Sequence, residues 1–234
     1  GSRGIGAATS MLLASKGYAV CVNYHSRTAD AESLVFKITE LGGKAFAFAA
    51  DVSNEDDVIK LFDATEQRFG KITHLVNNAG ILFTQSRLVD LSLERFNNVM
   101  TTNVTSCFLC CREAIKRMES GSAIVNVSSA ASRSGAPNEY IDYAASKGAM
   151  DTLTKGLSLE VAASGIRVNC VRPGFIHTEM HADGGEPNRV ARLSSQIPLQ
   201  RGGKPEEVAN AIAWLLSDEA SYVTGSFVDI AGGK

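Results

Sequence analysis

The sequence predicts an α/β fold: one parallel sheet with helices on both faces, in a single domain spanning 1–234. Three observations predict it. Short β-branched runs alternate with helix-periodic stretches along the whole chain. Glycines crowd the front of the first helix, in "GSRGIGAATS". Polar residues gather where the apolar runs end, which is where ligands bind in open sheets of this kind.

Taken in order, "IGAATSMLLASKG" reads as the first helix and "YAVCVNY" (18–24) as a strand. "ADAESLVFKITELG" (29–42) is helical and stops at paired glycines; "KAFAFAADV" (44–52) is a strand. The stretch 53–70 is a helix with Ser53 as its expected N-cap, acids in the first turn and Gly70 at its end. "ITHLVNNAG" (72–80) is a strand running into a loop, and 92–119 reads as one long helix. "SAIVNVSS" (122–129) is a strand, 143–165 a helix closed by glycine, and "IRVNCVRPG" (166–174) a strand ended by Pro-Gly. Region 175–204 is irregular and is expected to hold a mobile segment near the site. Pro205 opens the last helix (205–221), in which Trp214, Leu215 and Leu216 are expected in the core; 226–233 is the last strand. The link from Lys116 to Ser122 is short, and a few loop residues are expected to be missing from it.

Composition narrows the function. The 234 residues carry 23 basic and 25 acidic side chains, net −2, with no basic cluster, so nucleic acid is not an expected partner. No apolar run is long enough for a membrane span. Cys21, Cys107, Cys110, Cys111 and Cys170 form no disulfide framework, which fits a reducing, cytoplasmic setting. Three of them, in "SCFLCC", read as small apolar residues on a packed helix face rather than as a metal or redox motif. His177 and His181 lack a third ligand, and no metal is expected.

The glycine stretch suits a dinucleotide. Gly1, Ser2, Arg3, Gly4, Ile5 and Gly6 stand where backbone can approach a pyrophosphate, with free helix N–H groups facing it. A strand would ordinarily precede such a loop, at mid-sheet; about ten residues, an apolar strand among them, are expected ahead of Gly1. After the strand at 18–24 no acid stands ready for a ribose 2′-hydroxyl. His25, Ser26 and Arg27 stand there instead, and Arg3 is near. Basic groups suit a 2′-phosphate, so NADP(H) is the expected cofactor, with NAD(H) as the alternative.

The chemistry centres on "YAASK". Tyr143 and Lys147 are one helical turn apart on one face, and an ammonium beside a phenol is expected to lower the phenol's pKa. Ser128 and Ser129 end one strand, Asn77, Asn78 and Gly80 another, and Asn103 lies within a helix, where asparagine needs a hydrogen-bonding reason.

The ordered set "SRGIG", "LVNNAG", "TTNVT", "IVNVSS", "YAASK" and "VRPGFIHT" resembles the short-chain dehydrogenase/reductase family, in its one-domain branch with a Rossmann-type doubly wound sheet. It is similar to bacterial 3-oxoacyl-acyl-carrier-protein reductases and glucose 1-dehydrogenases. The resemblance implies hydride transfer between NADP(H) and a carbonyl or secondary alcohol. It assigns Tyr143 as general acid/base and Lys147 as the group that lowers its pKa and holds the nicotinamide ribose. Ser129 would bond the substrate oxygen, and Asn103 would anchor a relay water. Asp51 and Val52 would contact adenine; Asn78, Ala79 and Gly80 would line the cofactor; Pro173, Gly174, Ile176 and Thr178 would border the carboxamide. A homodimer or homotetramer, paired through the helices carrying Asn103 and Tyr143, is also implied. Two other readings stand beside it: an NADP(H)-binding sensor or partner protein without turnover, and a related enzyme that epimerises.

Overall fold

The protein, described over residues 1–234 by a computed structural model, carries the expected alternation. The elements are α1 (Gly4–Ser15), β1 (Ala19–Tyr24), α2 (Thr28–Glu40), β2 (Lys44–Ala49), α3 (Glu55–Phe69) and β3 (His74–Asn77). Next come α4 (Leu93–Met100), α5 (Ser106–Ile115), β4 (Ala123–Val127), the short α6 (Ala131–Ser134), α7 (Ile141–Glu160) and β5 (Arg167–Pro173). The chain closes with the short α8 (Met180–Asp183) and α9 (Arg189–Leu193), then α10 (Pro205–Leu216) and β6 (Phe227–Ile230). No helix is long and apolar enough to cross a membrane.

All strand pairs are parallel, in the orders β1-β2 and β3-β4-β5-β6. Strand β4 is buried at every residue, with alternate side chains feeding opposite cores. Ile124 packs with Val58, Phe62, Cys107, Cys111 and Met150, beneath α3, α5 and α7. Ala123, Val125 and Val127 pack with Leu13, Val208, Ile212 and Leu216, beneath α1 and α10. Burying Ile124 completely is worth roughly 2–3 kcal/mol, so β4 holds both layers against the sheet.

Strand β1 does not reach β3. A slot of about 480 Å³ separates them, lined by Ala19–Asn23 on one side and His74–Asn77 on the other. Each of these strands therefore presents one unpaired edge to the slot. One end of it opens beside Gly1, Gly6, Asn78 and Ala79.

Three local expectations are corrected. The stretch 92–119 is α4 and α5 joined by a π-helical turn, Thr101–Thr105, and it ends at Ile115. The N-cap of α3 is Asn54, whose Oδ1 accepts from Asp57 N at 3.2 Å. Ser53 is already engaged with Asp51, to which its N and Oγ both donate, at 2.9 and 2.6 Å. Trp214 is 40 % exposed, because Val208, Ile212, Leu215 and Leu216 define the buried stripe of α10 and Trp214 lies off it. The link to β4 turns at Gly121, φ +92°, where Ser122 N donates to Glu119 O.

Candidate active site

Helix α7 positions the central pair. Tyr143 lies in its first turn and Lys147 one turn further on, with Nζ 5.6 Å from the Tyr143 ring centroid. Both side chains are buried. Lys147 Nζ donates to Val127 O, at the end of β4, at 2.8 Å. Burial pushes Lys147 down to about 8. Burial also pushes Tyr143 up to about 12, with the Ser129 hydroxyl acting the other way. This corrects the expectation that the ammonium holds the phenol low: Nζ is committed to a carbonyl, and desolvation decides both groups.

The two serines after β4 divide their tasks. Ser128 is buried and its Oγ donates to Lys147 O at 3.1 Å, tying the strand end to α7. Ser129 is partly exposed beside the phenol, and its Oγ accepts from Ala131 N at 3.1 Å.

The π-helical turn brings in Asn103. Its side chain is fully buried and answers both backbone groups of Ile81: Oδ1 accepts from the N–H at 2.7 Å, and Nδ2 donates to the C=O at 3.0 Å. Nδ2 also donates to Ser146 Oγ at 2.9 Å, and Ser146 Oγ donates to Tyr143 O at 2.7 Å. The loop after β3 is thereby fastened to the helix carrying the pair. At Gly80 an added Cβ would lie 3.3 Å from Lys147 Nζ and 3.4 Å from Asn103 Oδ1, so these three residues share one small space.

The glycine stretch fits a dinucleotide. Helix α1 starts at Gly4 with no acid in its first turn and no side-chain cap from Arg3, leaving its N–H groups free for an anion. An added Cβ at Gly6 would lie 2.8 Å from Asn78 Nδ2 and 3.0 Å from Gly1 Cα, so only glycine leaves that approach open. Gly4 takes φ +49°, with the position of a Cβ 3.1 Å from Thr178 Cγ2; Thr178 thus borders the same loop. Arg3 pairs with Asp183 at 3.2 Å, while His25, Ser26 and Arg27 stand exposed beyond β1.

The remaining expected contacts divide. Asn78, Ala79, Gly80, Pro173 and Gly174 lie at strand ends facing this region, and Gly174 admits no Cβ because Ala231 Cα would lie 2.9 Å away. Asp51 and Val52 follow β2, the Asp51 carboxylate held below its ordinary range by its Ser53 hydrogen bond. Ile176 is turned into the core with Val208 and Ile212. His181 Nε2 contacts Ile176 O at 3.0 Å, and burial lowers its pKa.

Sequence reading missed Arg95 and Ser146, which hold the first turn of α7. Ser146 lies inside "YAASK", one turn from Tyr143, and its spacing was the available signal. Arg95 carries none, because its partner lies 47 residues away.

Comparison with known proteins places this geometry. The family profile described as enoyl-(acyl carrier protein) reductase matches residues 1–234. The uncharacterized oxidoreductase YgfF of Escherichia coli (strain K12) is 64% identical over 239 residues, covering 100% of this chain and 97% of that protein. A short-chain dehydrogenase/reductase of Serratia marcescens superposes with a TM-score of 0.93 at 34% identity, over 100% of this chain and 94% of its own. A short-chain dehydrogenase from Burkholderia cenocepacia, solved in complex with NADP, gives 0.92 at 32% identity, over 100% and 94%.

Proposed function

The chain belongs to the short-chain dehydrogenase/reductase family, and from that premise we propose that it moves a hydride between NADP(H) and a carbonyl or secondary alcohol, with Tyr143 as general acid/base. One observation carries the reading: Tyr143, Lys147, Ser129 and Asn103 meet beside Gly80, at the carboxyl ends of β3 and β4. A binding protein without turnover requires the glycines but not this constellation.

Gly1–Gly6 and the α1 N-terminus would hold the pyrophosphate of the cofactor, and Gly80 with Lys147 its nicotinamide ribose. NADPH when bound supplies the hydride. The chain's part is to place the carbonyl carbon before it and to manage one proton. Ser129 donates a hydrogen bond to the carbonyl oxygen. Tyr143, neutral at pH 7, gives its proton to that oxygen as negative charge develops there. Lys147, held at about 8, is poised near neutrality to exchange a proton with the site. Asn103 keeps the loop after β3 and α7 in fixed relation while this happens.

NADP(H) over NAD(H) is supported by the chemistry at the end of β1, where His25, Ser26 and Arg27 follow the strand with no acid among them; Arg3, in the glycine stretch, is paired with Asp183. The five free cysteines support a reducing compartment. Exposed Val89, Leu93, Phe96 and Phe108, on or next to α4 and α5, support pairing with a second copy through this face.

The test is NADPH oxidation against ketones, sugars and acyl thioesters, with NADH alongside. We expect turnover with at least one carbonyl, faster with NADPH. Binding of NADPH with no oxidation by any member would refute the enzymatic reading.

A further inference from the structure

Tyr143 occupies an exacting position. It is the third residue of α7, in the turn where helices fray because their N–H groups lack intrahelical acceptors. The N-cap residue, Tyr140, offers no side-chain acceptor. Asp142 supplies one: its Oδ1 accepts from Tyr143 N at 2.9 Å.

Asp142 is itself held. Its side chain is 1% exposed, and a carboxylate so buried needs a cation. Arg95, in the first turn of α4, provides it: Nε donates to Oδ2 at 2.7 Å and an Nη to Oδ1 at 3.4 Å. The guanidinium has a third task. Its other Nη donates to Thr84 O at 2.8 Å, and the group lies 5.5 Å from the Phe83 ring centroid.

Residues 82–84 continue the loop that Asn103 fastens at Ile81, and they meet the segment after α8. An added Cβ at Gly184 would strike Leu82, and one at Gly185 would lie 2.9 Å from Thr84 Cγ2. One guanidinium thus joins the turn that carries Tyr143 to the loop that packs against the irregular region 175–204.

We propose that Arg95 and Asp142 are positioning residues for carbonyl reduction: the ion pair fixes the Tyr143 phenol, and the Thr84 link sets the substrate-side wall at a fixed distance from it. The inference rests on the acid/base role given to Tyr143 above. Arginine suits the place because its rigid fork presents separate nitrogens to Asp142 and Thr84 at once; a lysine at 95 offers all its donors from one nitrogen on a flexible stem, and is expected to keep the Asp142 pair at the expense of the Thr84 link.

The test measures initial rates of NADPH oxidation with ethyl acetoacetate for the wild-type chain, Arg95→Lys, Asp142→Asn, the double Arg95→Met/Asp142→Asn and Tyr143→Phe. NADPH binding and melting temperature are measured on each. The double variant removes both charges together, so it folds where a lone buried carboxylate would not. We expect Asp142→Asn and the double variant to lose about tenfold or more in kcat, a loss proper to a misplaced acid, with NADPH affinity within about twofold of wild type. Arg95→Lys should recover kcat to within about threefold of wild type while KM for the ketoester stays raised about fivefold or more. Folded variants with wild-type kcat and KM would overturn the proposal, as would Arg95→Lys losing kcat and KM in parallel with melting temperature. If Tyr143→Phe turns over undiminished, or ethyl acetoacetate is inert with the wild-type chain along with every other carbonyl of the panel, the underlying reading of the site fails instead. If Tyr143→Phe is dead while the Arg95 and Asp142 variants behave as wild type, only the positioning role fails.

Discussion

Lys147 keeps its charge at a cost to the fold. Burial lowers its pKa from 10.5 to about 8. Between about pH 8 and 10.5 the unfolded chain therefore holds a proton that the folded chain has released, and stability rises with pH across that window. Tyr143 acts in the opposite sense: raised from 10.0 to about 12, it keeps a proton between those values that the unfolded chain has lost, and stability falls there. Replacing Lys147 by Met should thus abolish turnover yet raise stability at pH 7 by about 2 kcal/mol, the lost Val127 hydrogen bond offsetting part of the gain. The advantage should shrink from about pH 8 toward 10.5 in thermal melts; a variant less stable than wild type at pH 7 would contradict it. Tyr143, Lys147, Ser129 and Asn103 are legible as a set because motif spacing shows in the sequence alone. Their electrostatics are not, since the direction of Nζ is a tertiary fact. Trp214 was legible and misread: residues 208, 212, 215 and 216 set the phase of α10, and 214 falls outside it.

At the scale of elements, the π-helical turn at Thr101–Thr105 was invisible in the apolar pattern, which reads as one continuous helix. Its trace in the sequence is Asn103, a poor helix former whose burial demands partners. The turn swings that side chain onto Ile81 and Ser146. Asn103→Ala should leave both backbone groups of Ile81 unanswered and cost about 2–4 kcal/mol in urea unfolding. An unchanged midpoint would show that the loop after β3 does not depend on it. Helix α3 gives the same lesson at its start: Ser53 and Asn54 are both good caps by type, and only the engagement of Ser53 with Asp51 decides for Asn54.

For the whole molecule, strict alternation made the parallel sheet legible, and full burial of β4 explains why its run carries no polar face. The sheet is nonetheless in two parts, with β1-β2 held to the rest by helices rather than by strand hydrogen bonds. The site spans this divided sheet, with the glycine stretch on one side and Tyr143 and Lys147 on the other. The most direct measurement of the central claim is the single-turnover rate of hydride transfer from NADPH in Tyr143→Phe, read beside NADPH affinity. The account predicts a rate lower by about 10²–10⁴-fold, the span of a lost general acid, with affinity within about threefold of wild type. A Tyr143→Phe rate close to wild type would contradict it.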